Sequence, residues 1–334
     1  MAILMCLSRS LTILLVLPSL VSSFNASAVS VRSYAALGDS YAAGDGAGSS
    51  RLLPDVGCGR FSRAYPVQIA DDVGLDVYCG TFKNLACGGA STSSVLRTQA
   101  PWIGCADIVT LTVGGNEVDF FLLLNECVHQ WKPFSTCEAE LAKARGLVQS
   151  TRFIDNFDRL IAGITRKLRP GAQLMVTGYA QFFNDITDQC GRISFSKTDP
   201  SNHLTKELRR EFNQMVTMLN DVIKAAAAAH GALYVDMDMV FEGHRFCETG
   251  VVEPDPLRSD TWFFNLLYPD TDRISSVNYA TKAKHQEPQA SLLGPIRDFL
   301  DLTKVFHPTS DGHAAIAQEI LRLISVAAAG EEVE

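Results

Sequence analysis

Three residues far apart in the chain have the types that acyl-transfer chemistry requires. They are Ser40 in YAALGDSYAAGDGAG (34–48), Asn116 in VGGNEVDF (113–120) and His307 in FHPTSDGHAAIA (306–317). A serine hydroxyl attacks a carbonyl when a base, most often histidine, takes its proton. The charge that develops on the carbonyl oxygen needs donors aimed at it. Asn is a neutral donor that does not titrate. A glycine such as Gly89 in NLACGGAS (84–91) lets a backbone N–H approach a reacting centre closely. Each residue also has a plainer reading: Ser40 as a turn or helix-cap serine, Asn116 as a turn residue tolerating an unusual backbone, Gly89 as simple turn geometry.

Other motif readings fit less well. A G-x-S-x-G elbow needs glycine two residues after the serine, and Ala42 stands there. GDGAGS (44–49) lacks both the G-x-G-x-x-G spacing and the Gly-Lys-Ser/Thr ending of phosphate-binding loops.

These residues must be positioned by regular elements. Short apolar runs predict strands at Tyr34–Leu37, Asn84–Ala86, Ile108–Val113, Gln173–Thr177 and Ala232–Val235. Helical patterning predicts helices at Ala64–Val73, Thr92–Thr98, Glu138–Leu168, Leu204–Ala229 and Asp311–Ala327. Strands alternating with helices predict an α/β protein, a three-layer α/β/α sandwich around a central, mostly parallel five-stranded sheet. Ligands bind at the carboxyl ends of the strands in such sheets, and Ser40, Gly88–Gly89 and Gly114–Asn116 fall there.

The four stretches together resemble the blocks of the GDSL, or SGNH, hydrolases. GDSY (38–41) is similar to the first block, NLACGGAS to the second, VGGNEVDF to the third and FHPTSDGHAAIA to the last. ALYVDMDMVFEGHRFCE (232–248) also resembles a segment of the secreted lipases and esterases of actinobacterial and fungal type. The blocks occur in family order and span 34–317. The resemblance implies the flavodoxin-like SGNH fold and a carboxylic ester hydrolase, an esterase or lipase. Ser40 is then the nucleophile and His307 the base. The N–H of Ser40, the N–H of Gly89 and the side chain of Asn116 become the oxyanion donors. Gly88 is an alternative donor, because Gly-Gly stands where Ser-Gly is commoner. His313 lies six residues from His307, but the family places its base directly before proline, which leaves His313 a structural role. His244 is expected to be structural or at the rim of the site.

Two departures from the family pattern matter. Lys304 replaces the aspartate common three residues before the histidine. A triad acid is therefore not visible at that position; some secreted family members orient the histidine with a backbone carbonyl, which implies the Lys304 carbonyl as one orienting group, with Asp301 and Asp311 as outside carboxylate candidates. Glu117 replaces the usual aspartate after Asn116, which puts the support of that loop in question. Asp39, next to the nucleophile, is expected to organise its turn.

Composition bounds the rest. The 334 residues are 47% hydrophobic and 20% charged, as in a globular protein with a large core. LTILLVLPSLV (11–21), followed by small residues, reads as a signal peptide over 1–28, cleaved after about residue 23 to 28. A single hydrolase domain over 30–328 remains. Eight cysteines lie beyond that leader, an even number that suits disulfides in a secreted chain. Cys127 with Cys137 closes a short loop, and Cys190 with Cys247 would join two long ones. The cysteine spacing lacks the paired C-x-x-C units of a zinc site, and the serine–histidine reaction implied by the resemblance calls for no metal or organic cofactor. A net charge of −8 opposes nucleic-acid binding. The expected product is a secreted monomer, with no integral membrane association, acting on small-molecule, lipid or glycan esters.

Substrate class stays open at this level. TWFFNLLYP (261–269) could wall an acyl pocket, act as a flap or pack in the core, and the loop 259–295 is expected to shape specificity. A polysaccharide or sugar deacetylase, a phospholipase, and a non-enzymatic carbohydrate-binding protein are the alternatives. The joint presence of Ser40, Asn116 and His307 argues against the last.

Overall fold

The computed structural model describes residues 31–49, 57–75, 77, 81–130, 133–196, 198–255, 258–265 and 304–329. The expected signal peptide, most of the 259–295 loop and Asp301 lie outside these residues.

Five strands form one sheet: β1 (Tyr34–Gly38), β2 (Phe82–Asn84), β3 (Ile108–Thr112), β4 (Gln173–Thr177) and β5 (Leu233–Val235). Their order is β2-β1-β3-β4-β5 and every pairing is parallel. β1 and β3 are buried at every position, which is why they read as largely apolar runs, and the two threonines of β3, Thr110 and Thr112, bond buried hydroxyls of Tyr34, Tyr65 and Thr177. Tyr34 pairs with Ile108 and Gly38 with Thr112, so both strands end at the same level. The strand order reverses direction between β1 and β3, and the crevice at such a switch point is where open α/β sheets bind ligands.

Helices cover both faces. On one side α2 (Tyr65–Ala70) packs against the last helix, α9 (Ser310–Ala329), which also meets α8 (Met237–Val240). On the other, α6 (Thr151–Thr165) contacts α3 (Thr92–Ser94), α5 (Cys137–Val148) and α7 (Lys206–Ala229). Two short helices, α1 (Ser40–Ala43) and α4 (Phe120–Leu124), sit at the carboxyl ends of β1 and beyond β3.

The single helix expected over 138–168 is two. Ser150 interrupts it, its side chain accepting from the Phe153 N–H as the cap of α6. Such a local cap satisfies an orphan helix-terminal donor and favours a fresh start over continuation. β2 lies two residues earlier than expected, although Leu85 N–H still donates to the Ala36 carbonyl at 2.8 Å. The helix predicted over 92–98 changes hydrogen-bond register after Ser94, continuing as a π-helical turn at Val95–Gln99.

Disulfides join Cys58 to Cys87, Cys127 to Cys137 and Cys190 to Cys247. A buried aromatic cluster of Phe182, Phe183, Phe246, Phe263 and Phe306 lies beneath the last block, with edge-on pairs such as Phe182–Phe306 and Phe246–Phe306 at 5.1 and 5.0 Å. Each such pair adds about 0.5–1.5 kcal/mol beyond the area it buries.

Candidate active site

The turn after β1 is held from two sides. Gly38 takes φ +140°, and a Cβ there would meet the Thr112 carbonyl at 2.1 Å, so only glycine fits. The buried Gln99 side chain accepts from the Gly38 N–H at 2.8 Å and donates to the Gly38 carbonyl at 2.9 Å. Asp39 N–H donates to the Thr112 carbonyl at 2.9 Å. The β1 end is thereby locked onto β3, and Ser40 begins α1 just beyond it.

Asp39 faces away from the histidine. Its carboxylate accepts from the Tyr41 N–H at 2.9 Å and from the Tyr179 hydroxyl at 2.6 Å. Burial raises its pKa to about 7, although the bonds from Tyr179 and Tyr41 pull it down. Tyr179 in turn accepts from the Gly115 N–H at 3.1 Å, which carries the support across to the loop after β3.

His307 is brought to Ser40 from 267 residues away, its Nε2 lying 2.7 Å from the serine Oγ. Among the described residues no carboxylate bonds the ring. The Val305 carbonyl lies 3.4 Å from Nδ1, a long contact. The expected Lys304 carbonyl also accepts the backbone N–H of His307, at 2.9 Å. Both carbonyls favour the protonated ring, as does Asp45, but burial outweighs them and holds the His307 pKa below its ordinary value. Asp311 is exposed in the first turn of α9.

The segment TWFFN explains how the histidine is held. Phe264 N–H donates to the His307 carbonyl at 2.9 Å, Phe306 N–H to the Phe264 carbonyl at 3.0 Å, and Thr309 N–H to the Trp262 carbonyl at 2.8 Å. Phe263 is fully buried in the aromatic cluster. The stretch therefore packs in the core and braces the last block, and its described residues do not line the cleft. Phe306 has φ 62°, an arrangement that costs a bulky residue about 1–3 kcal/mol and persists only where the surroundings enforce it.

The other histidines take different places. His313 is fully buried, accepts from the Tyr65 N–H at 3.3 Å, and is held neutral by burial, its pKa lowered to about 3. His244 bonds the Asp260 carbonyl at 2.8 Å through Nδ1 and stacks on Trp262 with ring centroids 3.4 Å apart.

The loops after β2 and β3 are clamped together. Asn116 Nδ2 donates to the Ala90 carbonyl at 3.0 Å, which uses one of its two amide hydrogens. Glu117, the longer carboxylate in this position, reaches the Thr92 N–H at the start of α3. Burial raises its pKa. The extra methylene thus spans a gap rather than loosening the loop. Gly88 N–H is taken by the Cys58 carbonyl at 2.8 Å, beside the Cys58–Cys87 disulfide. Among the described residues the N–H groups of Ser40 and Gly89 have no acceptor, and Gly89 takes φ +74°. Gly88 is therefore disfavoured as a donor, and Gly89 is the glycine with an N–H to spare.

Ser40, Asn116 and His307 open on a cleft of about 620 Å³, including its mouth. Its walls are mainly Phe120, Phe121, Leu124, Phe182, Val305 and Phe306. Gly89 is not among the residues lining it. The sequence reading missed the α4 wall. Its signal was present as FFLLL (120–124), five apolar residues directly after the third block.

A model of the GDSL-like lipase/acylhydrolase family matches residues 36–315. A lipase from Streptomyces rimosus is 32% identical over 228 residues, 68% of this chain and 77% of that protein. Lipase 1 of Streptomyces coelicolor is 33% identical over 215 residues, 64% of this chain and 72% of its own. Among solved structures, phospholipase A1 from Streptomyces albidoflavus superposes with a TM-score of 0.62 at 26% identity, over 88% of this chain and 99% of the other.

Proposed function

Since the chain belongs to the GDSL-like lipase/acylhydrolase family and is a carboxylic ester hydrolase, we propose that it cleaves fatty-acyl esters through a Ser40–His307 dyad. The observation that carries this reading is the 2.7 Å contact between Ser40 Oγ and His307 Nε2 at the edge of an apolar cleft. Neutral His307 takes the serine proton as Oγ attacks the ester carbonyl. The proton then passes to the leaving alcohol, and the same ring activates the water that releases the acid. Ser40 N–H, Gly89 N–H and the free amide hydrogen of Asn116 receive the oxyanion. The Val305 and Lys304 carbonyls orient the ring in place of a triad acid. They leave the imidazolium less stabilised than a carboxylate would.

The aromatic and leucine wall favours a lipid or medium-chain ester over a sugar acetate, in keeping with the phospholipase A1 and lipase structures this chain resembles. On a p-nitrophenyl ester series from acetate to palmitate, kcat/KM is expected to rise beyond acetate. A maximum at acetate, with release of acetate from an acetylated glycan, would overturn the fatty-acyl assignment. The three described disulfides and the apolar leader support secretion, with cleavage near residues 23 to 28 and a hydrolase domain over 30–328. No helix among the described residues is long and apolar enough to cross a membrane.

The acid limb follows from the base. His307 must be neutral to accept a proton, and burial lowers its pKa. Activity should therefore persist below the ordinary histidine value of ~6.5 and fall only at lower pH. A kcat/KM profile whose acid midpoint lies at or above that value would contradict the burial of the ring.

A further inference from the structure

We propose that Tyr41 is a positioning residue, whose hydroxyl holds the Phe306 carbonyl and thereby keeps His307 in reach of Ser40. This rests on the Ser40–His307 reading and names what maintains it.

The observations are geometric. Tyr41 Oη donates to the Phe306 carbonyl at 2.6 Å, across 265 positions of sequence. Phe306 is one of few residues other than glycine with positive φ, and it directly precedes the base. Its own N–H, and the N–H and carbonyl of His307, are all taken by backbone partners. The Phe306 carbonyl is held instead by a side chain, and that side chain follows the nucleophile in α1. One hydroxyl therefore ties the two halves of the dyad together. A peptide in the left-handed region relaxes readily when a bond enforcing it is lost. Rotation about the Phe306–His307 linkage would swing the imidazole away from Oγ.

The ring of Tyr41 is itself fixed. It lies 5.0 Å from the His307 ring and 4.9 Å from the Tyr179 ring, which it meets edge-on. Tyr179 is anchored on Asp39. Removing only the hydroxyl leaves these contacts and the apolar packing in place, so the loss isolates the hydrogen bond.

The test compares Tyr41→Phe, 4-aminophenylalanine at position 41 and His307→Ala on p-nitrophenyl butyrate, with the unfolding midpoint of each protein recorded. Tyr41→Phe is expected to lower kcat roughly 10- to 100-fold with KM within about twofold, because misplacing a reacting group by about 1 Å has that scale. The amino analogue keeps the ring and supplies an N–H donor, and is expected to restore most of the loss. A merely structural role would move the unfolding midpoint and leave the kcat of folded protein alone. If folded Tyr41→Phe turns over at the wild-type rate while His307→Ala is dead, the positioning role is wrong and the dyad stands. If His307→Ala retains turnover, the dyad reading itself fails. If the amino analogue is as slow as Phe, the hydrogen bond is not what matters and the proposal falls.

Discussion

Ser40→Ala and His307→Ala are each expected to lower kcat by roughly 10⁴–10⁶, with the double variant no slower than the worse single one. The reason lies in the 2.7 Å contact between the two side chains. The base has no proton to take once the hydroxyl is gone, and the hydroxyl is a poor nucleophile once the base is gone. Each substitution removes the same event, so the losses do not add. Steady-state rates of the three variants on a p-nitrophenyl ester measure this directly. Neither residue carries the fold: Ser40 and His307 are only partly buried, and the turns around them are held by Gln99, Thr112, Tyr41 and Phe264. Unfolding midpoints near the wild type's should accompany the kinetic loss. A double variant slower than both singles by the product of their effects would show that the two act independently.

Asn116→Ala is expected to lower kcat by roughly 10²–10³, the scale of one oxyanion donor. One amide hydrogen is engaged with the Ala90 carbonyl, and the proposed oxyanion role uses the other. The substitution thus removes a donor and also one tie between the loops after β2 and β3. Glu117 on Thr92 keeps the second tie. Stability should change far less than turnover for that reason. Near-normal kcat in folded Asn116→Ala would remove Asn116 from the oxyanion role. An unfolding midpoint that falls steeply along with kcat would assign it to the loop clamp instead.

Much of the molecule was legible because its signals are local. Strands buried on both faces are largely apolar, and that pattern located β1, β3 and β4 within a residue or so of their ends. The leftover residues at strand ends then marked Ser40, Gly89 and Asn116. Where a local cap competed with a long helical pattern, as at Ser150, the pattern overran it. TWFFN was ambiguous for a related reason. An aromatic run has the same composition whether it lines a cleft or packs a core, and only its backbone bonds to His307, Phe306 and Thr309 distinguish the two.

By itself the sequence determined the fold class, since apolar runs alternating with helical patterns carry it, and the resemblance to the GDSL blocks named the candidate site residues. Tertiary structure decided everything that depends on pairs distant in the chain. It set the Val305 carbonyl beside the imidazole together with that of Lys304, engaged Gly88 and left Gly89, and turned Glu117 into a clamp. It also built the cleft from α4 and set Tyr41 against Phe306. The physical reason is common to all of these. A hydrogen bond requires its atoms to lie within a few tenths of an ångström of the right separation, and residue type does not specify distances between segments that meet only when the sheet closes.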